Sequence, residues 1–374
     1  MRSGFTTGAC AAAAASAAAR RMLGLDLEIR AFPAWTRNPS GPDHPQEPME
    51  MPGVELPFPD GSRHWLPIAW TRQDEDGTWS AGVIKDAGDD PDITHGATIE
   101  ARVAPAEDFL FRAGEGVGTV TLPGLQIPPG EAAINPGPRA MIRAALEELD
   151  LDGALVTVGI EGGRALAERT FNPRLGVVGG LSILGTAGIV RPFSLAAIRA
   201  TIEASLDVAR AAGFDTACLV PGHLGEKAAR QLHPFPQAQL IEVSNEWGPA
   251  LDAAAAKGFR ALLLSGHPGK LAKLAEGHFD THSSRSPSPV PGVAALIREL
   301  GYDAAEVPTV EGLFQALPIA ARHRLSAVLG ARIAAQATRR CGLPCDVLLT
   351  TMDGGCYGQH LATGHWSLPT GALS

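Results

Sequence analysis

TACLVPGHLGE, residues 216–226, is the stretch of sequence that most constrains the fold. Its first five residues are mostly apolar and favour a β-strand, and Pro221 and Gly222 then end the run before a helical pattern begins. Further apolar runs separated by helical stretches follow at Gln239–Val243, Arg260–Ser265 and Cys345–Thr350, the last of which we predict to be the final strand. Strands that alternate with helices at this spacing predict an α/β domain with a short parallel sheet.

The first half of the chain has a different pattern. Thr6 or Thr7 can cap a packed helix that runs from about Ala9 to Leu23, and Gly24 can end it. Short strand-like segments follow at Val54–Leu56, Arg63–Trp70, Ser80–Lys85 and Ala97–Ala104. These elements predict an α+β domain with a largely antiparallel sheet. We place the boundary near residue 192, which gives an N-terminal domain over 1–192 and a C-terminal domain over 193–374.

Composition excludes several classes of protein. The 374 residues are 45% hydrophobic and 19% charged, as in a soluble globular protein. The net charge of −9 gives no support for nucleic-acid binding, and no apolar run is long enough to span a membrane. Five cysteines are an odd, thinly spread number, which argues against a secreted disulfide framework and predicts a cytoplasmic location.

Small residues follow the first C-terminal strand where a helix begins. Gly222 and Gly225 would let backbone N–H groups at the positive end of that helix approach a ligand. Glu242 ends the next apolar run, where it could hydrogen-bond a ribose diol, and Ser265 and Gly266 end the third run. The pattern indicates a nucleoside-binding crevice. A plain tight turn stays an alternative, because the full G-x-G-x-x-G is absent.

The turn SGHPGK, residues 265–270, superficially resembles a phosphate loop. No Gly stands at the first position of G-x-x-x-x-G-K-[ST], and Leu271 replaces the metal-binding hydroxyl. A nucleotide-dependent kinase or ligase is therefore kept only as an alternative function. We favour a turn that lines the carboxyl end of the sheet.

Residues 85–95, KDAGDDPDITH, hold four carboxylates within seven positions. They could bind a hard cation, but the spacing and the closing Glu of an EF-hand are missing. A solvated turn with Asx caps is one interpretation. In the functional alternative, Asp89, Asp90 or His95 acts as a base or orients a substrate, and Lys85 contacts it.

A glycine-rich tract, Gly114–Gly118, leaves two interpretations equally open. It permits close backbone approach to a flat or anionic ligand, or it serves as a strand bulge.

The charge between residues 162 and 200 is locally positive, with five arginines and one acid. Guanidinium groups pair carboxylates bidentately, so this zone predicts a carboxylate- or phosphate-bearing ligand. A solvated helix face explains Arg164, Arg169 and Arg199. Arg174 and Arg191 flank an apolar, glycine-rich segment and are the candidate substrate-binding residues.

Cysteine and histidine spacing gives no strong signal for a metal. Cys341, Cys345, Cys356 and His360 match structural zinc sites poorly, and we predict no metal site. Four histidines fall in the crevice region as unassigned candidates, namely His223, His267, His278 and His282.

Five stretches resemble the CbiD family, the cobalt-precorrin-5B C1-methyltransferases. They are RSGFTTGACAAAAASAA (2–18), KDAGDDPDITHGA (85–97), GEGVGTVTLPGLQIPPGEAAINPGPRAMI (114–142), FNPRLGVVGGLSILGTAGIVRP (171–192) and SGHPGKLAKLAEGHFDTHS (265–283). They occur in the family's order and are far more specific than the glycine patterns. The resemblance implies an α+β domain followed by an α/β domain, with S-adenosylmethionine as cofactor.

The resemblance also implies an activity, the methylation of C1 of cobalt-precorrin-5B to give cobalt-precorrin-6A in anaerobic cobalamin biosynthesis. On this interpretation the crevice after the parallel strands holds the cofactor, and Thr6, Thr7 and the turn 89–95 line the acceptor cleft. The fold differs from that of other corrin C-methyltransferases, so no catalytic residue is carried over from them. A non-catalytic tetrapyrrole-binding pathway protein is a further alternative, and the oligomeric state is left open, with a homodimer among the options.

Overall fold

The alanine-rich segment near the N-terminus folds as a helix that is enclosed by protein. In this computed structural model, which describes residues 2–32, 49–190 and 194–366, helix α1 runs over Thr7–Met22. Thr6 caps it by accepting a hydrogen bond from Ala9 N at 3.1 Å, and all residues from Thr7 to Ala19 are buried. A helix that is apolar all round belongs in a core, and short alanine side chains let its neighbours approach closely. The predicted capped and packed helix is confirmed.

The chain divides into two compact units, unit 1 over Met1–Ser194 and unit 2 over Leu195–Ser374. The predicted boundary at residue 192 falls in 191–193, which lie outside the described residues. Besides α1, unit 1 contains β1 (Gly4–Phe5), β2 (Glu28–Phe32), β3 (Met49–Pro57), β4 (Arg63–Pro67), β5 (Trp70–Gln73), β6 (Trp79–Ile84), β7 (Thr98–Pro105), β8 (Phe109–Ala113), β9 (Thr119–Val120), α2 (Pro136–Glu147), β10 (Ala154–Ile160), α3 (Gly163–Ala167), β11 (Val177–Val178) and β12 (Ile189–Val190).

The strands of unit 1 are distributed over several sheets. The largest has the order β5-β6-β7-β10-β8 and is antiparallel except for the β10–β8 pair. A second sheet, β2-β3-β4, is antiparallel, and β1–β12 and β9–β11 form two short antiparallel pairs. Helix α1 packs against β6, β7, β3 and α2. Unit 1 is therefore a mixed, largely antiparallel α and β structure built around α1.

Unit 2 alternates strands and helices as the apolar runs predict. Its elements are α4 (Leu195–Ala211), β13 (Thr216–Val220), α5 (His223–Leu232), β14 (Leu240–Glu242), α6 (Trp247–Ala256), β15 (Ala261–Gly266), α7 (Pro268–Ala275), α8 (Val290–Glu299), α9 (Val310–Gln315), α10 (Ile319–Cys341), β16 (Cys345–Thr350) and β17 (Cys356–His360). The sheet order is β14-β13-β15-β16-β17, and the first four strands are parallel.

The prediction that β16 is the final strand is wrong. Strand β17 pairs with β16 in antiparallel register and forms the edge of the sheet. Its sequence, CYGQH, lacks the apolar alternation of a typical strand, so the pattern gave no signal. The reversal between the two strands contains Gly354 with a φ of +104°, a conformation that favours glycine.

Helices cover both faces of this sheet. Helices α6, α7 and α10 contribute side chains to the larger hydrophobic core, together with Leu219, Leu264 and Val347 of the strands. On the opposite face, Ala229 of α5 packs with strand residues such as Val220 and Leu263. The connections from β13 and from β15 therefore leave on opposite faces of the sheet. Among the described helices, none is both long and apolar enough to cross a membrane.

Candidate functional site

The carboxyl ends of β13 and β15 meet at one edge of the sheet in unit 2. The two strands are adjacent and parallel, and the helices that follow them lie on opposite faces. Where neighbouring connections diverge in this way, the sheet edge opens into a crevice, which is the usual ligand site of open α/β sheets. We call this edge, with the end of β14 beside it, the switch-point crevice.

The five predicted cofactor-binding residues lie together at the switch-point crevice. Gly222 lies in the turn after β13 and Gly225 in the first turn of α5, Glu242 ends β14, and Ser265 and Gly266 end β15. A Cβ placed on Gly222 would lie 3.6 Å from Glu242 Oε1, and one placed on Gly225 would lie 3.7 Å from the backbone oxygen of Ser265. Their predicted role in binding stays a prediction, but their proximity is a feature of the fold.

Helices α5 and α7 both begin at this crevice, but their N-termini differ. In α7, Pro268 lacks an N–H group, Gly269 N donates to His267 Nδ1 at 3.0 Å, and Lys270 N donates to the carbonyl of His267. No backbone donor of that first turn is left to hold a phosphate, which disfavours the kinase or ligase alternative. Helix α5 starts at Gly222 and has no side-chain cap among the described residues, so its N–H groups can serve a ligand.

A hydrogen-bonded cluster beside the crevice was missed by the sequence analysis. His267 Nε2 lies 2.5 Å from Glu311 Oε2, and Tyr357 donates its hydroxyl to Glu311 Oε1 at 2.7 Å. Burial acts to raise the pKa of Glu311, but the hydrogen bonds from Tyr357 and His267 outweigh it and hold that pKa below its usual value. Burial also raises the pKa of Tyr357, and the adjacent carboxylate adds to that shift. The cluster fixes the turn after β15 against α9 and β17.

In unit 1, the predicted substrate-binding Lys85 has an internal role. Its side chain has no exposed surface, and Nζ donates to Asp92 Oδ2 at 2.7 Å. Asp92 also accepts hydrogen bonds from Thr94 N at 2.8 Å and from Thr94 Oγ1 at 2.6 Å. In this conformation the ammonium is fully buried and paired with Asp92, and its predicted contact with a substrate stays a prediction. Lys85 instead holds the loop between residues 85 and 96 in place.

The predicted catalytic residues lie at the surface of that loop. Asp89 is exposed and accepts a hydrogen bond from Arg2 N at 2.5 Å, and Asp90 is half-buried. His95 is exposed, and its Nδ1 accepts a hydrogen bond from Ala87 N at 3.1 Å. In the neutral ring this bond leaves the proton on Nε2, so His95 presents a hydrogen-bond donor to solvent. The geometry fits an orienting role better than that of a general base.

Thr6 and Thr7 join α1 to the segment 184–188. Thr6 N donates to the carbonyl of Gly188 at 2.9 Å, and the Thr7 hydroxyl donates to the carbonyl of Leu184 at 3.0 Å. Both threonines are more than nine-tenths buried, and both hydroxyls are engaged within the protein. Their contact with a substrate stays a prediction. The structure gives them the role of shaping the surface around them.

Arg174 lies on a partly apolar surface of unit 1. Its guanidinium stacks over the ring of Phe171 at 5.3 Å, and Phe171, Leu122 and Val178 are exposed. Leu122 lies next to Gly176, where a Cβ would come within 2.5 Å of its side chain. We call these four residues, Leu122, Phe171, Arg174 and Val178, the apolar–arginine surface. Arg191, the other predicted clamp, lies outside the described residues.

The glycine-rich tract packs against the protein itself. A Cβ on Gly180 would lie 2.3 Å from the backbone oxygen of Gly116, and one on Gly118 would lie 2.8 Å from that of Gly180. The close backbone approach that these glycines permit is therefore between two segments of unit 1. No group of three or more His, Cys, Asp or Glu residues in the described ranges is arranged to hold a metal ion.

Comparison with known proteins identifies the family. The sequence model of the CbiD family matches residues 1–192. A protein of Syntrophotalea carbinolica named cobalt-precorrin-5B C(1)-methyltransferase is 48% identical over 343 residues, which cover 87% of this chain and 91% of that protein. A protein of the same name from Pseudomonas paraeruginosa is 40% identical over 373 residues, which cover 96% of this chain and 95% of that protein. A crystal structure of a cobalamin biosynthesis protein (cbiD) from Archaeoglobus fulgidus is 24% identical, covers 81% of this chain and 86% of that one, and has a TM-score of 0.38, too low to equate the folds. On the family match and the two long sequence alignments, this chain belongs to the CbiD family.

Proposed function

We propose that the chain transfers a methyl group from S-adenosylmethionine to C1 of cobalt-precorrin-5B. The observation that carries this proposal is the near end-to-end match to two relatives named for that activity. The matches extend over both units, so the residues of both are available to the reaction. We assign the donor to unit 2 and the tetrapyrrole acceptor to unit 1.

The switch-point crevice supports the assignment of the donor. A carboxylate at the end of β14, that of Glu242, is suited to accept hydrogen bonds from both hydroxyls of a ribose. In the described part of unit 2, a Cβ on Gly222 would meet only Glu242 within 4 Å, which leaves room above the turn for a ligand. The hydroxyl of Ser265 is fully buried and has no hydrogen-bond partner among the described residues. A buried polar atom in that state marks a place where a ligand would complete the bonding.

The apolar–arginine surface supports the assignment of the acceptor. A tetrapyrrole is a flat, largely apolar ring with carboxylates at its rim. Exposed Phe171, Leu122 and Val178 offer apolar contact, and Arg174 and Arg191 can pair with rim carboxylates. Asp89, Asp90 and the Nε2 donor of His95 then orient the ring from the loop that Lys85 and Asp92 hold.

The chain contributes positioning and electrostatics to this reaction. When bound, S-adenosylmethionine supplies an electrophilic methyl group on a sulfonium: the C–S bond breaks as the C–C bond to the electron-rich ring carbon forms, and the sulfonium becomes a neutral thioether. Glu242 and Ser265 would hold the donor, and the residues of unit 1 named above would hold the acceptor. Holding each reactant in a fixed orientation is the contribution of these residues to the rate. Because positive charge moves onto the macrocycle, carboxylates such as Asp89 and Asp90 stabilise the developing charge.

The test is incubation of the full-length protein with methyl-labelled S-adenosylmethionine and cobalt-precorrin-5B, followed by mass spectrometry of the tetrapyrrole. We expect the gain of one labelled methyl group, located at C1. A reaction without acceptor controls for transfer to protein or solvent. Binding of both compounds without any transfer would refute the proposal and support a non-catalytic tetrapyrrole carrier.

A further inference from the structure

Lys270 is a charged residue near the switch-point crevice. It lies in the first turn of α7, directly after β15, and is half-buried. Within the described residues its ammonium makes no hydrogen bond and no ion pair. Its partial burial lowers its pKa; the charge of Glu242 opposes that shift and the charge of Lys273 adds to it. An ammonium that is partly desolvated without a direct partner is poised to bind an anion.

A neighbouring lysine shows what a structural role would look like. Lys273, one turn further along α7, is 6% exposed. Its Nζ donates to the carbonyl of Thr281 at 3.1 Å and to Ser286 Oγ at 2.9 Å. The buried cation of Lys273 is thus satisfied by fixed oxygen atoms, as buried charges in folded proteins generally are. Lys270 has no such arrangement, although it comes from the same helix.

Three features place an anion-binding position next to Lys270. Its electrostatic neighbour Glu242 lies against Gly222, the residue from which α5 starts. The first turn of α5 has no side-chain cap among the described residues, so its backbone N–H groups and the positive end of the helix dipole are available at the carboxyl end of β13, beside the end of β15. The unpartnered buried hydroxyl of Ser265 ends the strand between these two helices.

We propose that Lys270 binds the α-carboxylate of the methionine moiety of the methyl donor, with the N-terminus of α5 as its second contact. This assignment rests on the proposed function. Glu242 accepts hydrogen bonds from the ribose hydroxyls, and Lys270 pairs with the carboxylate. The two ends of the ligand are therefore bound by protein groups of opposite charge. Lys270 acts as a specificity-determining residue, because it distinguishes a donor with a carboxylate from one without.

The experiment compares two ligands and three variants by isothermal titration calorimetry on the full-length protein. The ligands are S-adenosylmethionine and its decarboxylated analogue, which keeps the adenosine and the sulfonium. The variants are Lys270→Met, Lys270→Arg and the control Lys227→Met, which removes the same charge from an exposed position on α5. We expect the wild type to bind the decarboxylated analogue about 10- to 100-fold more weakly, as for loss of a hydrogen bond to a charged group.

Lys270→Met should weaken the binding of S-adenosylmethionine about 10-fold and reduce its preference over the decarboxylated analogue by the same factor, and the N-terminus of α5 accounts for the preference that is left. Lys270→Arg and Lys227→Met should keep the wild-type preference. Equal binding of the two ligands by the wild type would overturn the assignment even if Lys270→Met fails to fold. A Lys270→Met protein that keeps the full wild-type preference for the carboxylate would overturn it as well. In both cases S-adenosylmethionine still binds, so the proposed function survives. No binding of S-adenosylmethionine to the wild type would contradict the proposed function itself, and this assignment with it.

Discussion

Replacing Asp92 by Asn removes the only negative charge that directly contacts the buried Lys85 among the described residues. Lys85 stays buried, and its three N–H donors then face a neutral amide whose own NH₂ group competes for the same space. The loop between residues 85 and 96, which holds Asp89 and His95, depends on this pair. Asp92→Asn should therefore destabilise unit 1 and loosen that loop.

The size of the effect follows from the geometry of the pair. Removing one partner of a buried ion pair costs about 3–5 kcal/mol, because the other charge is left uncompensated. The Asp92 side chain is 25% exposed, so water can reach part of the site, and we expect the lower end, about 3 kcal/mol. For a unit of this size that loss lowers the melting temperature by roughly 6–12 °C.

The effect should also depend on pH. Burial acts to raise the pKa of Asp92, but the charge of Lys85 and the hydrogen bonds from Lys85 and Thr94 outweigh it and hold that pKa below its usual value. A carboxyl whose pKa is lower in the folded state contributes fully above its unfolded pKa of about 3.9 and loses its contribution as the pH falls through the folded value. The difference in free energy of unfolding between wild type and Asp92→Asn should therefore be constant near pH 7 and should disappear in acid.

Differential scanning calorimetry of the full-length protein tests this, with two controls. Asp76→Asn alters a similar Asp-x-Thr turn, in which Asp76 Oδ1 accepts a hydrogen bond from Thr78 Oγ1 at 2.6 Å. It uncovers no buried cation, so we expect a much smaller loss of stability than for Asp92→Asn. The double variant Lys85→Met/Asp92→Asn removes both charges and should be more stable than Asp92→Asn alone. The single variant Lys85→Met completes the comparison. If the free energy of unfolding lost by the double variant equals the sum of the losses of Asp92→Asn and Lys85→Met, the two residues do not act as a pair.

Three further perturbations test other parts of the structure. Gly185→Ala places a Cβ 2.4 Å from that of Thr6 at a φ of +120°, so it should lower the free energy of unfolding in urea by about 2–4 kcal/mol. The control Gly24→Ala has a φ of +73° and open space around it, and it should lower that free energy by about 1 kcal/mol. Glu311→Gln should lower the free energy of unfolding by about 2 kcal/mol at pH 7. Because the pKa of Glu311 is lowered in the folded state, the difference from wild type should begin to shrink as the pH falls below the unfolded value of about 4.3, and it should be lost as the pH falls through the lower folded value. Arg174→Ala should lower the affinity for the tetrapyrrole about 10-fold in a fluorescence-quenching titration and leave the affinity for S-adenosylmethionine unchanged. If the variant keeps the full affinity for the tetrapyrrole, Arg174 does not bind a rim carboxylate.

Local chemistry made the individual elements predictable. The limits of α1 follow from the Thr6 cap and from Gly24, which has the positive φ expected after a helix. The parallel strands of unit 2 follow from apolar runs spaced by helices, and their shared edge follows from parallel topology alone. For that reason the cofactor-binding candidates, which were chosen because they follow strands, lie together in the structure.

Contacts between distant segments could not be predicted in the same way. Glu311 and Tyr357 meet His267 across 44 and 90 positions of sequence, and no spacing rule connects them. Nothing local indicates that Lys85 is buried, because lysine is ordinarily exposed and its partner Asp92 stands among three other acids. Both cases depend on how whole elements pack, which a single sequence does not state.

Glycine illustrates why a pattern can predict a geometry without predicting its use. The tract 114–118 and the turn at Gly222 both predict close approach of another group to the backbone. At Gly116 the approaching group is the backbone of Ile160 and Gly163, and at Gly118 it is the Val177 side chain and the backbone of Gly180, so the glycines serve packing. At Gly222 the described neighbourhood contains only the Glu242 carboxylate within 4 Å of an added Cβ, beside a helix N-terminus without a side-chain cap. The same residue type thus points to a ligand only where the fold leaves backbone donors and space together, and this is why we place the methyl donor at Gly222 and not at the longer glycine tract.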